Sequence, residues 1–433
     1  MSFRTSLSGL DAAATDLSVV GNNIANASTT GFKGSRAEFV DVFATTFSGV
    51  SGNTPGSGVR VSSVSQQFGQ GNVEFTSSNL DMAINGEGFF IVSDDGTDTY
   101  TRAGAFKTDR EGFVIDSSGR NLQVFPANNN GTFNTGTLQA LQLSTTDSPP
   151  LATTSVTPII NLNANEETPT GSFNKFDADT YNHSTSTTVY DSQGNGFPAT
   201  MYYVASNPAN NEWQAYTIVG DNKLEMTYPD TTSTSTPPTT LTTDHFTLTF
   251  NGDGSLESST IGTVGTDPAD TTGQVSFNGL DLVNGTELMD LTFDYGAVTQ
   301  YGGDFSIYSL NQNGFSSGRL SGIDIDQNGA VFARFTNGQS DLLGQVALAS
   351  FPNSGGLNQL GSTSWGETFS SGDRIIGSPG SSGFGALQSG ALEASNVDIA
   401  SQLVNLITSQ RNFQANAKAI STEDTVQQAI LNI

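Results

Sequence analysis

Two narrow apolar stripes, one at each end of a 433-residue chain, constrain this sequence more than any other feature. Phe3, Leu7, Leu10, Ala14, Leu17 and Ile24 are spaced 4-3-4-3-7, with Gly21 at the missing step. Ile399, Leu403, Leu406, Phe413, Ala417 and Ile420 keep the same rhythm, with Gln410 at the gap, and Val426, Ile430 and Ile433 continue a shifted stripe. Heptad spacing of this kind predicts a helix at each end. The Ser-Thr-Thr-Gly run at residues 28–31 is expected to end the first helix. Ser395 and Asp398, at capping-box spacing, are expected to start the second. Either helix is marginal alone, because nucleation is costly and a narrow stripe leaves most of the helix polar. The pair therefore needs each other, or copies from other molecules; a hairpin docked on its own domain is the alternative.

Between the helices the pattern changes to strands. Phe89-Phe90-Ile91-Val92 and residues 100–106, 113–115 and 122–125 are strand candidates, separated by turns at residues 109–112 and 116–119. A matching meander is expected at 305–310, 320–325, 330–335 and 342–351, and a further set at 202–205, 213–219, 246–250 and 291–293. The fold class expected is mainly β with terminal α-helices, in nested domains. Residues 1–30 and 395–433 form the helical core and 31–79 an extended connector. Residues 80–147 and 300–394 form one discontinuous β-rich domain, and 148–299 an inserted acidic β-rich domain. The Thr/Pro stretch at 231–243 is expected to be a loop.

Composition narrows the function. Charged residues are 13% of the chain and the formal charge is −27, with 18 acidic against two basic residues between Leu151 and Val298. Such a surface repels nucleic acid and anionic membrane. The chain has no cysteine, so disulfides and thiolate metal sites are unavailable. No run approaches a membrane span, and no signal peptide is evident, so no membrane insertion is expected.

Motifs suggestive of chemistry fail in context. Gly314-Phe315-Ser316-Ser317-Gly318 satisfies the nucleophile-elbow pattern, but a strand follows and both histidines lie upstream. Asp324-Ile325-Asp326-Gln327-Asn328-Gly329 opens like an EF-hand loop, yet the twelfth position is Phe335 instead of a bidentate Glu; a hairpin turn explains it better. His183 and His245 have no supporting metal ligands. No catalytic residue, metal or cofactor is expected.

The residues at both ends carry a family resemblance. Leu17-Ser18-Val19-Val20-Gly21-Asn22-Asn23-Ile24-Ala25-Asn26, with Thr30-Gly31-Phe32-Lys33, resembles the N-terminal signature of the flagellar rod and hook proteins. Ile84-Asn85-Gly86-Glu87-Gly88-Phe89-Phe90 and Tyr100-Thr101-Arg102-Ala103-Gly104-Ala105-Phe106 resemble the internal motifs that follow it. Residues 390–398 and 409–418 resemble the C-terminal signature. The large β insertion, with Gly344-Gln345-Val346-Ala347-Leu348-Ala349-Ser350-Phe351, resembles the hook members of that family.

This resemblance implies a homopolymer: a flexible curved tube that acts as a universal joint and transmits torque from rod to filament. It further implies export by the flagellar type III apparatus without a cleaved leader, an extracellular location, and contacts with rod, hook–filament junction and hook cap proteins. The polymer interface is expected at Phe3, Leu7, Leu10, Leu17, Ile24, Ile399, Leu403, Leu406, Phe413 and Ile420. Arg411 and Lys418 are expected either to meet neighbouring subunits or to be solvated. Asn22, Asn23 and Asn26 are expected to pair with backbone at a packed junction or to serve as caps. A distal rod protein with an insertion remains open, as does an acidic surface adhesin or carbohydrate-binding protein using Trp213, Tyr202 and Tyr203.

Overall fold

A computed structural model describes residues 3–42, 56–94, 96–128, 130–143, 147–224, 226–229, 240–261, 273–282 and 285–431. The described chain is mainly β with a helix at each end, α1 at Phe3–Ala25 and α2 at Ile399–Leu431. It divides into two compact units, one of residues 1–145, 320–334 and 340–433, the other of 146–319 and 335–339.

The first unit is built from chain on both sides of the insertion. Phe89–Asp94 pairs with Thr97–Thr101 and Asn121–Pro126, which precede the insertion, and with Leu348–Ser350, which follows it. Asn121–Pro126 also pairs with Ser340–Val346. The run Phe89-Phe90-Ile91-Val92 is buried on both faces of this sheet. Phe90 and Val92 pack with Leu122, Val124 and Leu348, while Phe89 and Ile91 pack with Tyr100, Phe351 and Trp365. Period-two alternation sends successive side chains to opposite faces, so an unbroken apolar run is what a doubly covered strand requires. Toward the helices, Met82–Asn85 pairs with Ala386–Ser389, and Val73–Phe75 with Ala391–Glu393.

The stretch expected as an extended connector pairs with itself. Strand β1 (Ser35–Asp41) and strand β2 (Val59–Gln66) form an antiparallel pair with a bulge at Glu38/Phe39. Val59, Val61 and Val64 give β2 the β-branched character that an open linker lacks. The expected connector residues 43–55 lie outside the described residues.

The second unit contains a five-stranded sheet around Ser155–Asn163 and a six-stranded sheet built on the His183–Tyr190, Gly196–Asn207 and Glu212–Val219 meander. One core holds Val156, Ile160 and Phe293 from the first sheet with Tyr203, Trp213 and Phe246 from the second. Ser306–Gln312, expected in the flanking domain, pairs with Ser155–Asn163, so this unit runs past 299 to Arg319. Thr240–Thr243, expected to be loop, pairs with Met226–Pro229; the rest of that expected loop, residues 231–239, lies outside the described residues. Alternating threonines with Leu241 suit a strand despite the low complexity around them.

The sites of rejected chemistry are structural. Asp326 caps the hairpin turn by accepting the Ala330 N–H at 2.8 Å, and Asp324 pairs with Arg334. His183 stacks on Phe305 with ring centroids 4.3 Å apart, and its Nε2 lies 3.2 Å from a Glu166 carboxylate oxygen. Trp213 and Tyr203 are buried, so they offer no face to a sugar. Tyr202 is partly covered by Tyr181 and Phe173 at 4.9 and 5.2 Å.

Candidate functional site: the helix pair and its root

The two helices run antiparallel in a register set by small and polar side chains. Gly9, Asp16 and Asn23 lie seven residues apart on α1 and meet Asn416, Ser409 and Gln402, also seven apart on α2. A Cβ on Gly9 would sit 2.7 Å from the Asn416 side-chain oxygen, so a larger residue there would have to push the Asn416 amide aside. Ser409 donates its hydroxyl hydrogen to the Asp16 carboxylate, and Asn23 Nδ2 donates to Gln402 at 3.4 Å. Heptad spacing keeps these three rungs on one face of each helix. Ser6, Ala13 and Val20, also at seven-residue spacing, are buried on α1.

The apolar stripes are only partly used inside the chain. Leu10, Leu17 and Ile24 on α1 and Leu406, Phe413 and Ile420 on α2 are half-buried. Phe3 is 47% exposed, Leu403 48%, and Leu7 and Ile399 are similarly open. Val404 and Ile407 on α2 are also exposed apolar residues. Arg411 and Lys418 are exposed. An apolar face left open on two helices is a surface for association.

The three asparagines separate into different roles. Asn23 is buried and binds the Ser35 backbone in both directions, donating to its carbonyl at 2.7 Å and accepting its N–H at 2.8 Å. It thereby joins α1, β1 and α2. Asn26 Nδ2 donates to the Asn22 carbonyl at 3.0 Å and acts within the helix end, while Asn22 is exposed. At the start of α2 the cap is Asp398, which accepts the Ser401 N–H at 2.7 Å. Ser395 instead accepts the Val397 N–H one turn earlier. The helix cap therefore lies at Asp398, three residues after the expected Ser395.

Below the helices sits an ionic cluster that sequence reading did not assemble. Lys33 Nζ lies 2.6 Å from Glu393 Oε1, and Arg102 Nη1 lies 3.2 Å from Glu393 Oε2. The Lys33 and Glu393 side chains are fully buried. Glu393 also accepts the Gly71 N–H at 2.9 Å, Lys33 donates to the Gly69 carbonyl at 2.8 Å, and Arg102 donates to the Gly86 carbonyl at 2.9 Å. The Arg102 guanidinium lies over the Phe89 ring at 5.3 Å. Burial pushes the Lys33 ammonium below its ordinary pKa, against the upward pull of Glu393.

Each member comes from a different signature motif: Lys33 after the N-terminal helix, Arg102 from the second strand block, Glu393 before the C-terminal helix. Asn396 reinforces the meeting point, accepting the Gly34 N–H at 2.8 Å and donating to the Gly69 carbonyl at 3.0 Å. Gly31, at φ +68°, passes so close that a Cβ would sit 2.5 Å from the Ala103 nitrogen. The available signal was compositional: with only 15 basic residues in 433, a Lys and an Arg inside short motifs deserve a partner.

Comparison with known proteins gives the same picture along the chain. Residues 3–33 match the family model described as flagella basal body rod protein, and 83–157 match the flagellar hook protein FlgE/F/G D1 domain. Residues 161–315 match the flagellar basal body protein FlaE D2 domain, and 388–433 the flagellar basal body rod FlgEFG protein C-terminal family. The chain is 37% identical to the flagellar hook protein FlgE of Salmonella typhimurium and 36% identical to that of Escherichia coli, covering all of each chain. It is 31% identical to the FlgE of Borreliella burgdorferi, over all of this chain and 99% of that one. Among solved structures, the Helicobacter pylori flagellar hook protein FlgE2 shares the fold, with a TM-score of 0.50 at 14% identity, over 74% of this chain and all of that one.

Proposed function

This chain belongs to the flagellar hook protein family, and on that premise we propose that its helix pair is the polymerising element of a flexible tube. The protein is a structural subunit of the flagellar hook, not an enzyme. Membership implies self-assembly within the flagellum. The observation that carries the finer reading is the division of labour on the helices. Small polar rungs hold α1 to α2 within one chain, while Phe3, Leu7, Ile399 and Leu403 stay open. Copies of the same chain cover those residues and complete the apolar stripe, with the half-buried Leu10, Leu17, Ile24, Leu406, Phe413 and Ile420 at its margin.

The finer assignments rest on family membership. The tube bends as a universal joint between rod and filament, and it contacts rod, junction and cap proteins at its ends. Subunits leave through the flagellar type III export apparatus and keep their N-terminus. Lys418 and Arg411, exposed on α2, supply polar contacts between copies. We assign 1–30 and 395–433 to the tube wall, and the β-rich units to outer layers.

Electron microscopy of cells labelled with antibody against residues 151–298 tests the reading. Label on a short curved segment between envelope and filament is expected. Label spread over the cell surface would favour an adhesin, and label confined to the envelope a rod part.

A further inference from the structure

Residues 353–372 form a lobe of the first unit that holds a phenylalanine, Phe369, in solvent. Asn358–Gly361 and Ser364–Gly366 pair as a hairpin whose turn holds Ser362 and Thr363 at positive φ. The inner side is anchored by buried Trp365, whose indole N–H donates to Gln66 at 2.5 Å.

The loop that follows is fixed by its own side chains. Thr368 Oγ1 donates to the Gly356 carbonyl at 2.6 Å and accepts the Ser370 N–H at 3.1 Å. Ser371 Oγ accepts the Thr368 N–H at 2.9 Å, and Asn353 donates to the Ser370 carbonyl at 2.9 Å. Gly356 approaches so closely that a Cβ would lie 2.5 Å from the Ser370 carbonyl. At the apex of this bonded loop Phe369 is 104% exposed. Leu360, packed against Gly366, is 55% exposed. A phenylalanine on a tethered backbone binds with little further loss of conformational freedom, which is what an anchor residue needs.

Self-assembly within the family points to a second copy as the partner, and charge is compatible with it. The chain carries −27, so two copies repel over most of their surfaces. Residues 351–372 contain one charged side chain, Glu367, and it accepts the Tyr100 hydroxyl at 3.1 Å. A neutral lobe is where like-charged copies approach at least electrostatic cost. We propose that Phe369, supported by Leu360, is an inter-subunit anchor that inserts into a neighbouring copy of this chain in the polymer. A knob meeting a different patch on the next copy is a heterologous contact, the class that builds open helical assemblies. The inference rests on the self-assembling reading but uses none of the helix residues.

The test places a photo-activated benzoylphenylalanine at position 369 of the full chain in cells that make hooks. Irradiation is expected to give an adduct of twice the 45.2 kDa chain, with a second copy of the same sequence as the captured peptide. Phe369→Ser is expected to leave monomer thermal unfolding unchanged and to reduce hook number or length several-fold. Normal hooks from Phe369→Ser, with no self-adduct, overturn the anchor while leaving the hook reading intact. Capture of a different protein in intact hooks overturns it as well. A chain found away from the flagellum overturns both.

Discussion

Ser409 bonds to the carboxylate of Asp16 across 393 positions of sequence, and this contact is the middle rung of a three-rung antiparallel register. Above and below it, Gly9 faces Asn416 and Asn23 faces Gln402. The chain has no native cysteine to confuse a cross-link. Asp16→Cys combined with Ser409→Cys is therefore expected to form a disulfide within one chain in assembled hooks. Denaturing electrophoresis would show monomer mass with altered mobility. A ladder of covalent multimers would mean that the rung joins different copies.

Gly9 is expected to resist substitution even though alanine is the better helix former. The propensity gain is about 1 kcal/mol, but the methyl would push the Asn416 amide out of the upper rung and so undo the register contact that Gly9 permits. Gly9→Ala should weaken assembly, and adding Asn416→Ala, which clears the obstructing amide, should restore it. Hook length measured by microscopy reads both outcomes.

Leu403→Asp separates the two uses of α2. Its position is half open in the single chain, so monomer unfolding should shift by no more than about 0.5 kcal/mol, as for surface changes. Polymerisation, in contrast, should be abolished, because a carboxylate would be buried without a partner. Hooks of ordinary length from this variant would remove the stripe from the interface.

At the root of the helices, Glu393 neutralises two buried cations, and its loss should be felt throughout the first unit. Glu393→Gln is expected to destabilise that unit by about 3–5 kcal/mol, the cost of leaving buried charge uncompensated. Lys33→Met should cost less, since Arg102 still balances the carboxylate. Hydrogen exchange over residues 82–92, read separately from the second unit, distinguishes these results. Equal losses for the two variants would contradict the account.

Stability should fall on the alkaline side. Burial pushes the Tyr100 hydroxyl up to about 12, and burial aided by Asp244 does the same for Tyr216. Burial also raises Tyr203 and Tyr295. In the unfolded chain these groups ionise near the ordinary tyrosine value of 10.0. The folded state then holds more protons than the unfolded one, so stability present below pH 10.0 declines as pH rises toward about 12. Tyr100 and Tyr216 each account for at most about 3 kcal/mol of that decline. The part of the tyrosinate absorbance that Tyr100→Phe removes should appear together with loss of circular dichroism; its appearance before unfolding would contradict the burial of Tyr100.

Much of the architecture was legible in the sequence because the patterns that encode it are local. The helices announce themselves by heptads, and Phe89-Phe90-Ile91-Val92 announces a strand covered on both faces. The stripe left open whether it meets the partner helix or other copies. Apolar spacing points to a seam, but the intrachain seam runs through Gly9, Asp16 and Asn23, which look like a polar face until the partner helix is in place. The Lys33–Arg102–Glu393 cluster was invisible for another reason. Its members are spread over 360 residues, and no local pattern states which charges will share a buried site. Strand β2 and Thr240–Thr243 were obscured by Ser- and Thr-rich composition, which reads as loop until a partner strand supplies hydrogen bonds.

The central claim is that polar rungs close the helix pair within a chain while the apolar stripe closes between chains. Electron cryomicroscopy of the assembled hook, at a resolution that shows side chains, tests it most directly. The account predicts Gly9–Asn416, Asp16–Ser409 and Asn23–Gln402 inside one subunit, with Phe3, Leu7, Ile399 and Leu403 buried against neighbouring copies. A polymer in which those four side chains stay in solvent, or in which the rungs join different subunits, would contradict it.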